Sequence, residues 1–355
     1  MRPSRRAARL ISALASAALL LGAATACGGD SDSGAPAADA KPGASGGSAF
    51  PVTLAHKYGS TTIKSEPKRI VTVGLTDQDA VLALGKVPVG STEWLGGYKG
   101  AIGPWAQDKL GSAEAPTVLK DTGTGPQVEK IAALRPDLIL ALYGGLTKDQ
   151  YESLSKFAPV VAQPKEYNDY GIPWQELTQK VGQALGRSDQ AATVVKDTEA
   201  KITAAAAEHP EFKGASAVMA TPYEGMFVFG SQDPRSRLLT DLGFTLPKDL
   251  DKAIGDQFGA NISKERTDLL DQDAVVWIVG DVTKDAAKLH GDASYGDLKV
   301  ATEGREAFVP ETSDYGNATS FVSALSLPYV VERLVPQLAA AVDGKPATKV
   351  EQPAS

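Results

Sequence analysis

From residue 69 onward the chain alternates short continuous apolar runs with stretches whose apolar positions recur every three to four residues. The runs at 69–73, 87–90, 138–142 and 160–162 read as strands buried on both faces, and 76–84, 127–134 and 148–157 as the helices between them. The alternation returns further on, with strands at 215–220, 226–229, 274–279 and 307–309 and helices at 237–242, 264–270 and 319–342. Such alternation predicts mostly parallel sheets covered on both faces. Between the two series, Ser188 is placed to N-cap a long Ala-rich helix that runs to Glu208, with apolar positions at Ala191, Val194, Val195, Ile202 and Ala205. As the only clear bridge, this helix implies limited hinge motion.

The two series repeat each other. Glu129-Lys130-Ile131-Ala132-Ala133-Leu134-Arg135-Pro136-Asp137 leads into the apolar run at 138–142, and Glu265-Arg266-Thr267-Asp268-Leu269-Leu270-Asp271-Gln272-Asp273 leads into that at 274–279. Glu, Leu and Asp fall at the same offsets in both, as expected of a short helix with Glu in its first turn, a tight connection closed by Asp, and a buried strand. A second pairing, Leu84-Gly85 before Pro88 and Leu242-Gly243 before Pro247, marks a helix that ends on glycine. The expected fold class is therefore α/β, two Rossmann-like lobes at 50–185 and 211–343 joined by one backbone helix at 186–210, with a flexible tail at 344–355.

Ahead of this body the pattern changes. A basic head (Arg2, Arg5, Arg6, Arg9) precedes an apolar stretch too interrupted by Ala, Ser and Gly to span a bilayer comfortably, so 1–26 reads as a signal peptide. Ser4-Arg5-Arg6 matches only the beginning of a twin-arginine signal, which leaves the export route open. Ala24-Thr25-Ala26-Cys27 resembles a lipobox, and Cys27 is the only cysteine in the chain. Lipid on Cys27 would hold the protein at the outer face of the cell membrane, since two or three acyl chains anchor stably at ~0.8 kcal/mol per buried CH₂. Residues 27–49, mostly Gly, Ala, Ser, Asp and Pro, form the expected disordered tether, with a root-mean-square reach of roughly 25 Å. A net charge of −7 argues against a nucleic-acid partner.

Pro67-Lys68-Arg69-Ile70-Val71, Ala83-Leu84-Gly85-Lys86-Val87-Pro88-Val89-Gly90, the Glu129 to Ile139 segment and Phe157-Ala158-Pro159-Val160-Val161 resemble the periplasmic-binding-protein lobes of iron-siderophore and vitamin B12 importers. The resemblance implies a class III periplasmic-binding-protein fold and a monomeric substrate-binding lipoprotein of an ABC transporter, with ligand in the interlobe cleft. It also implies that Glu129 and Glu265 dock into arginine pockets of the permease. Charge logic points the same way, because two matching acidic knobs suit a pseudo-symmetric basic partner. Either glutamate would also simply favour its helix N-terminus, by ~0.3–1 kcal/mol.

The chain has 4 Trp, 10 Tyr and 9 Phe, and many of them crowd into three loop-like segments: Trp94, Tyr98 and Trp105; Tyr167, Tyr170 and Trp174; Tyr223, Phe227 and Phe229. Ligands of open α/β lobes bind beyond the carboxyl ends of strands, where the first and third groups fall, as does Tyr143 after Leu142. Candidate ligand contacts are therefore Trp94, Tyr98, Trp105, Tyr143, Tyr223, Phe227, Tyr315 and Phe321, with Arg235 and Arg237 as planar donors to chelate oxygens. Trp174 and Trp277 fall on core-facing positions. A cleft lined by Trp and Tyr suits a bulky chelate whose metal is already wrapped, a ferric siderophore first of all; cobalamin and haem are alternatives within the same architecture.

His56, His209 and His290 are scattered, so no metal site of the protein's own and no intrinsic cofactor are expected. Catalysis is not expected either. No Gly-x-Ser-x-Gly elbow between a strand and a helix and no Walker loop is present, and Gly123-x-Gly125 has neither a third Gly nor a preceding strand, which leaves a lipid-anchored hydrolase as the competing class.

Overall fold

A hairpin of β1 (Val52–His56) and β2 (Gly59–Ile63) opens the part of the chain that the computed structural model describes, residues 49–120, 125–343, 345 and 347–353. Cys27 and all of the expected tether except Ala49 lie outside the described residues. Among those described, no helix is long and apolar enough to cross a membrane.

The first lobe is built on β3 (Ile70–Thr72), β4 (Gly90–Glu93), β5 (Thr117–Lys120), β6 (Leu138–Ala141) and β7 (Val160–Ala162), ordered β5-β4-β3-β6-β7 with every pair parallel. Its helices are α1 (Asp77–Ala83), α2 (Val128–Ala133), α3 (Lys148–Leu154) and α4 (Trp174–Ala184). Successive strand residues serve opposite faces: Ile70, Leu138 and Leu140 pack with Ala80, Val81 and Val181 on one side, and Val71 and Ile139 with Ile131 and Leu154 on the other. That two-sided burial is why these strands read as continuous apolar runs.

One helix, α5 (Ser188–Glu208), carries the chain into the second lobe. Its Ala191 belongs to the first lobe's core, while Val195 and Ile202 belong to the second's. A helix about 30 Å long, gripped at both ends, restricts relative motion. The second sheet joins β8 (Ala217–Thr221), β9 (Met226–Phe229), β10 (Gly259–Ile262), β11 (Ala274–Val279) and β12 (Glu306–Pro310) in the order β10-β9-β8-β11-β12. Here β8, β11 and β12 are parallel, whereas β9 and β10 run antiparallel to their neighbours. The remaining helices are α6 (Pro234–Asp241), α7 (Leu250–Ile254), α8 (Val282–Gly291), α9 (Ala293–Gly296), α10 (Lys299–Thr302), α11 (Asp314–Phe321) and α12 (Ser326–Ala341).

The repeat read from the sequence has a physical counterpart. Asp137 accepts the backbone N–H groups of Lys68 and Arg69 at 2.8–3.1 Å, just before β3; Asp273 accepts the N–H and hydroxyl of Ser216 at 2.8 and 3.0 Å, just before β8. Each carboxylate thus ties the start of the fourth strand of its sheet to the start of the third. Likewise α1 and α6 end identically. Gly85 (φ 70°) and Gly243 (φ 104°) adopt the left-handed conformation, and in each case the next residue's N–H reaches back to the helix, Lys86 to Val81 and Phe244 to Leu239.

Four expectations change. The strand placed at 87–90 is β4, three residues later, because Pro88 has no N–H to donate to a neighbouring strand and regular pairing begins only at Gly90. Ser188 does not cap α5; it is the first helical residue, and Arg187 precedes it with no side-chain cap. The single helix expected at 319–342 is two, because Val322 takes a left-handed φ of 42° and breaks it. The tail expected to be flexible packs back over its described part: Val350 lies against the second lobe's core and the Glu351 carbonyl accepts from Gln337.

Candidate functional site

Side chains of the two lobes meet along a shared seam, which the first lobe lines with residues that follow its strands. In the first lobe Trp94 follows directly on β4, and Tyr143 stands two residues beyond β6. The loop carrying Tyr143 is held by Asp77, a fully buried carboxylate at the start of α1 that accepts the N–H groups of Leu142 and Tyr143 at 2.8 and 3.0 Å. Glycine is required at position 74, since a Cβ there would come within 2.3 Å of that carboxylate. Burial raises the pKa of Asp77 to about 6, although the two N–H bonds work against the rise.

In the second lobe, the turn after β9 starts α6 with Asp233 as N-cap and Arg235 in the first turn. Asp233 is fully buried and takes two bonds from the Arg235 side chain, Nε at 2.8 Å and Nη2 at 2.7 Å, besides its backbone N–H at 2.9 Å. The guanidinium carbon also lies 3.8 Å from the centre of the Phe229 ring. Arg235 is therefore fixed in orientation, and its Nη1 donates to nothing among the described residues. Its charge is felt by the buried Tyr143 phenol, which faces it from the first lobe.

Between the lobes runs a chain of aromatic rings. Trp105 contacts Phe321 (4.9 Å between centroids), Phe321 contacts Trp94 (5.4 Å), Trp94 contacts Tyr143 (5.9 Å) and Tyr143 contacts Tyr170 (5.8 Å). From there Tyr170 meets Phe258 (6.2 Å), Phe258 meets Phe227 (5.7 Å) and Phe227 meets Phe229 (5.4 Å) under Arg235. Trp94, Tyr143 and Tyr170 come from the first lobe and Phe321, Phe258 and Phe227 from the second, so the layer is made only when the lobes meet. Such edge and tilted contacts add ~0.5–1.5 kcal/mol each beyond buried area.

Polar clasps flank the layer. Asp79, fully buried on α1, accepts from Trp105 Nε1 at 2.8 Å and from Ser323 Oγ at 2.5 Å, across to the segment between α11 and α12. Its other oxygen has no hydrogen-bond partner among the described residues, and burial raises its pKa to about 6. Tyr98 donates its hydroxyl to Asp314 at 2.6 Å and accepts from Asn317 at 2.8 Å. On the opposite flank Asn168 donates to the Asp256 carbonyl at 2.6 Å and Arg237 to the Gly171 carbonyl at 2.7 Å.

Of the residues singled out from sequence, Trp94, Trp105, Tyr143, Phe227 and Phe321 join the ring layer, Tyr98 and Arg237 are clasps and Arg235 lies over the Phe229 ring at its end. Tyr315 is corrected: it is 4 % exposed in the second lobe's core, and its hydroxyl donates to Gln337 rather than facing the seam. Tyr223, 63 % exposed at the β8–β9 turn, stands apart from the layer. Sequence reasoning missed Tyr170 and Phe258 as layer members and Asp77, Asp79 and Asp233 as supports. For Tyr170 the signal was its neighbourhood with Tyr167 and Trp174; a lone Asp or Phe in a loop carries none.

Glu129 and Glu265 are exposed, each in the first turn of a short helix that precedes the fourth strand of its sheet. Among the described residues no cluster of three or more His, Cys, Asp or Glu is arranged to hold a metal ion.

Residues 71–301 match the sequence model of the periplasmic binding protein family. This chain belongs to that family. As a periplasmic binding protein its two Rossmann-like lobes and single backbone helix are of the class III type. Two solved structures share the whole body: a periplasmic solute binding protein from Mycobacterium smegmatis (33% identity, TM-score 0.70, covering 82% of this chain and 98% of that one) and PiaA of Streptococcus pneumoniae in complex with ferrichrome (28%, 0.74, 82% and 99%). The Fe(3+) dicitrate-binding periplasmic protein FecB of Escherichia coli is 25% identical over 209 residues, 56% of this chain. The match spans 63% of FecB, so less than two thirds of that curated relative.

Proposed function

We propose that this periplasmic binding protein is the extracytoplasmic solute-binding component of an ABC importer, that it captures a ferric siderophore of the hydroxamate type in the interlobe cleft, and that it delivers the chelate to the permease. The observation that carries the reading is Arg235: a guanidinium oriented by a buried carboxylate, with a donor edge unused, beside a layer of rings that only the two lobes together complete. A wrapped ferric chelate offers what those groups recognise, carbonyl and hydroximate oxygens around a partly apolar shell. Relatives named for ferric dicitrate and bound to ferrichrome support the ligand class. Trp94, Tyr98, Trp105, Tyr143, Phe227, Arg235, Arg237 and Phe321 are the proposed contacts, and Tyr223 a rim residue that meets the chelate from solvent. No intrinsic metal or cofactor and no catalytic step enter this reading.

Glu129 and Glu265 are the proposed permease contacts, and lipid on Cys27 the proposed anchor of a monomer at the outer face of the membrane; exposed glutamates at equivalent positions of the two lobes support the first. Tryptophan fluorescence tests the ligand. Ferric hydroxamates should quench Trp94 and Trp105 saturably, and quenching by cobalamin or haem alone would overturn the choice. Glu129→Ala combined with Glu265→Ala should abolish uptake with chelate affinity unchanged; lost affinity would refute the docking role.

A further inference from the structure

Beyond Tyr170 and Phe258 the ring layer gives way to a cavity of about 500 Å³ walled by both lobes. Gln163, immediately after β7, lines it and is 3 % exposed. Its Nε2 donates to the Tyr167 carbonyl at 3.1 Å, which sets the orientation of the amide, and its buried Oε1 accepts no hydrogen bond from the described residues. A buried amide oxygen without a donor is unfavourable, so the fold here has an acceptor waiting for an O–H or N–H.

The charges around it nearly cancel. Lys57 is committed to Asp169 at 2.7 Å. What remains is Lys165 on the first lobe and Asp256 on the second, neither in an ion pair among the described residues. A polyanion entering this space would gain one cation, meet one carboxylate and bring a second lone pair against Gln163 Oε1. A neutral donor meets none of these penalties.

We infer that this cavity is a subsite of the cleft, resting on the chelate-binding reading above, and that it receives a neutral, hydrogen-bond-donating part of the ligand, a backbone amide or hydroxyl, with Gln163 Oε1 as acceptor. Arg235 then reads the chelate oxygens and Gln163 the organic framework, so the subsite favours amide-rich hydroxamates over polycarboxylates. The test titrates the protein with ferrichrome and with ferric dicitrate, following tryptophan quenching. Gln163→Met should weaken ferrichrome about tenfold and leave ferric dicitrate unchanged. Asp256→Asn, at an exposed position that does not endanger folding, should strengthen ferric dicitrate severalfold and leave ferrichrome unchanged. Unaltered ferrichrome binding by Gln163→Met, or equal loss of both chelates, would overturn the inference, as would an Asp256→Asn protein indistinguishable from the parent if Gln163→Met fails to fold. Should the unsubstituted protein bind neither chelate, the reading of the cleft itself is wrong and the subsite falls with it.

Discussion

The two lobes use one scaffold and present different chemistry. Both place five strands in the same order, close the third and fourth strands with an aspartate, and end the helix after the third or an adjoining strand on a left-handed glycine. At the seam they part. The first lobe, whose five-stranded sheet is parallel throughout, contributes Trp94, Trp105, Tyr143 and Tyr170 together with the buried carboxylates Asp77 and Asp79. The second diverts its edge into the antiparallel β9 and β10, and the turn that follows β9 delivers Arg235 and Arg237. Strand order is set by backbone pairing and sheet burial, which both lobes share; the seam is made by connections, which those constraints leave free.

That contrast can be broken most severely at the ion pair. Arg235→Ala should cost about 3–5 kcal/mol in urea denaturation, because it leaves Asp233 buried without its cation. Adding Asp233→Ala should restore part of the loss. A double variant less stable than Arg235→Ala would mean that the helix cap, not the orphaned charge, dominates.

A smaller effect is expected on the first lobe's side. Asp79→Ala should cost about 1.5–3 kcal/mol by orphaning Trp105 Nε1 and Ser323, and Asp79→Asn less, since an amide oxygen still accepts. The pair also sets a pH dependence. With Asp77 and Asp79 both raised from 3.8 to about 6, the folded protein retains protons that the unfolded chain has released. Stability should therefore fall as pH rises from about 4 to 6 and level off above, and Asp79→Asn should flatten that slope. An Asp79→Asn protein with the parent's slope would remove Asp79 from the account.

The smallest effect belongs to Tyr223, exposed and outside the ring layer. Tyr223→Ala should change stability by less than about 0.5 kcal/mol, and a larger change would show that the β8–β9 turn supports the second lobe.

Much of the fold was legible because local rules and global fold agree. Asp137 and Asp273 stood at equal offsets, and each does the same work; Leu84-Gly85 and Leu242-Gly243 announced helix ends that glycine alone makes comfortable. Boundaries were less legible where residues of one type serve two states. Val87 and Val89 are good strand formers, yet Pro88 between them has no N–H for a sheet ladder, and Thr319 begins no helix because it lies inside one that starts at Asp314 and ends at Val322. In the site, large aromatics after strand ends were visible, but Tyr315 followed the same pattern into the core.

The sequence by itself determined two repeated α/β lobes, the helix between them and a supply of aromatic and arginine side chains, because periodicity, caps and turn residues act over a few neighbouring positions. Only the tertiary structure decided which rings meet. Asp79 with Ser323, Tyr170 with Phe258 and Asn168 with Asp256 are joined by the approach of two separately formed sheets, and their contacts depend on distances that no local pattern encodes.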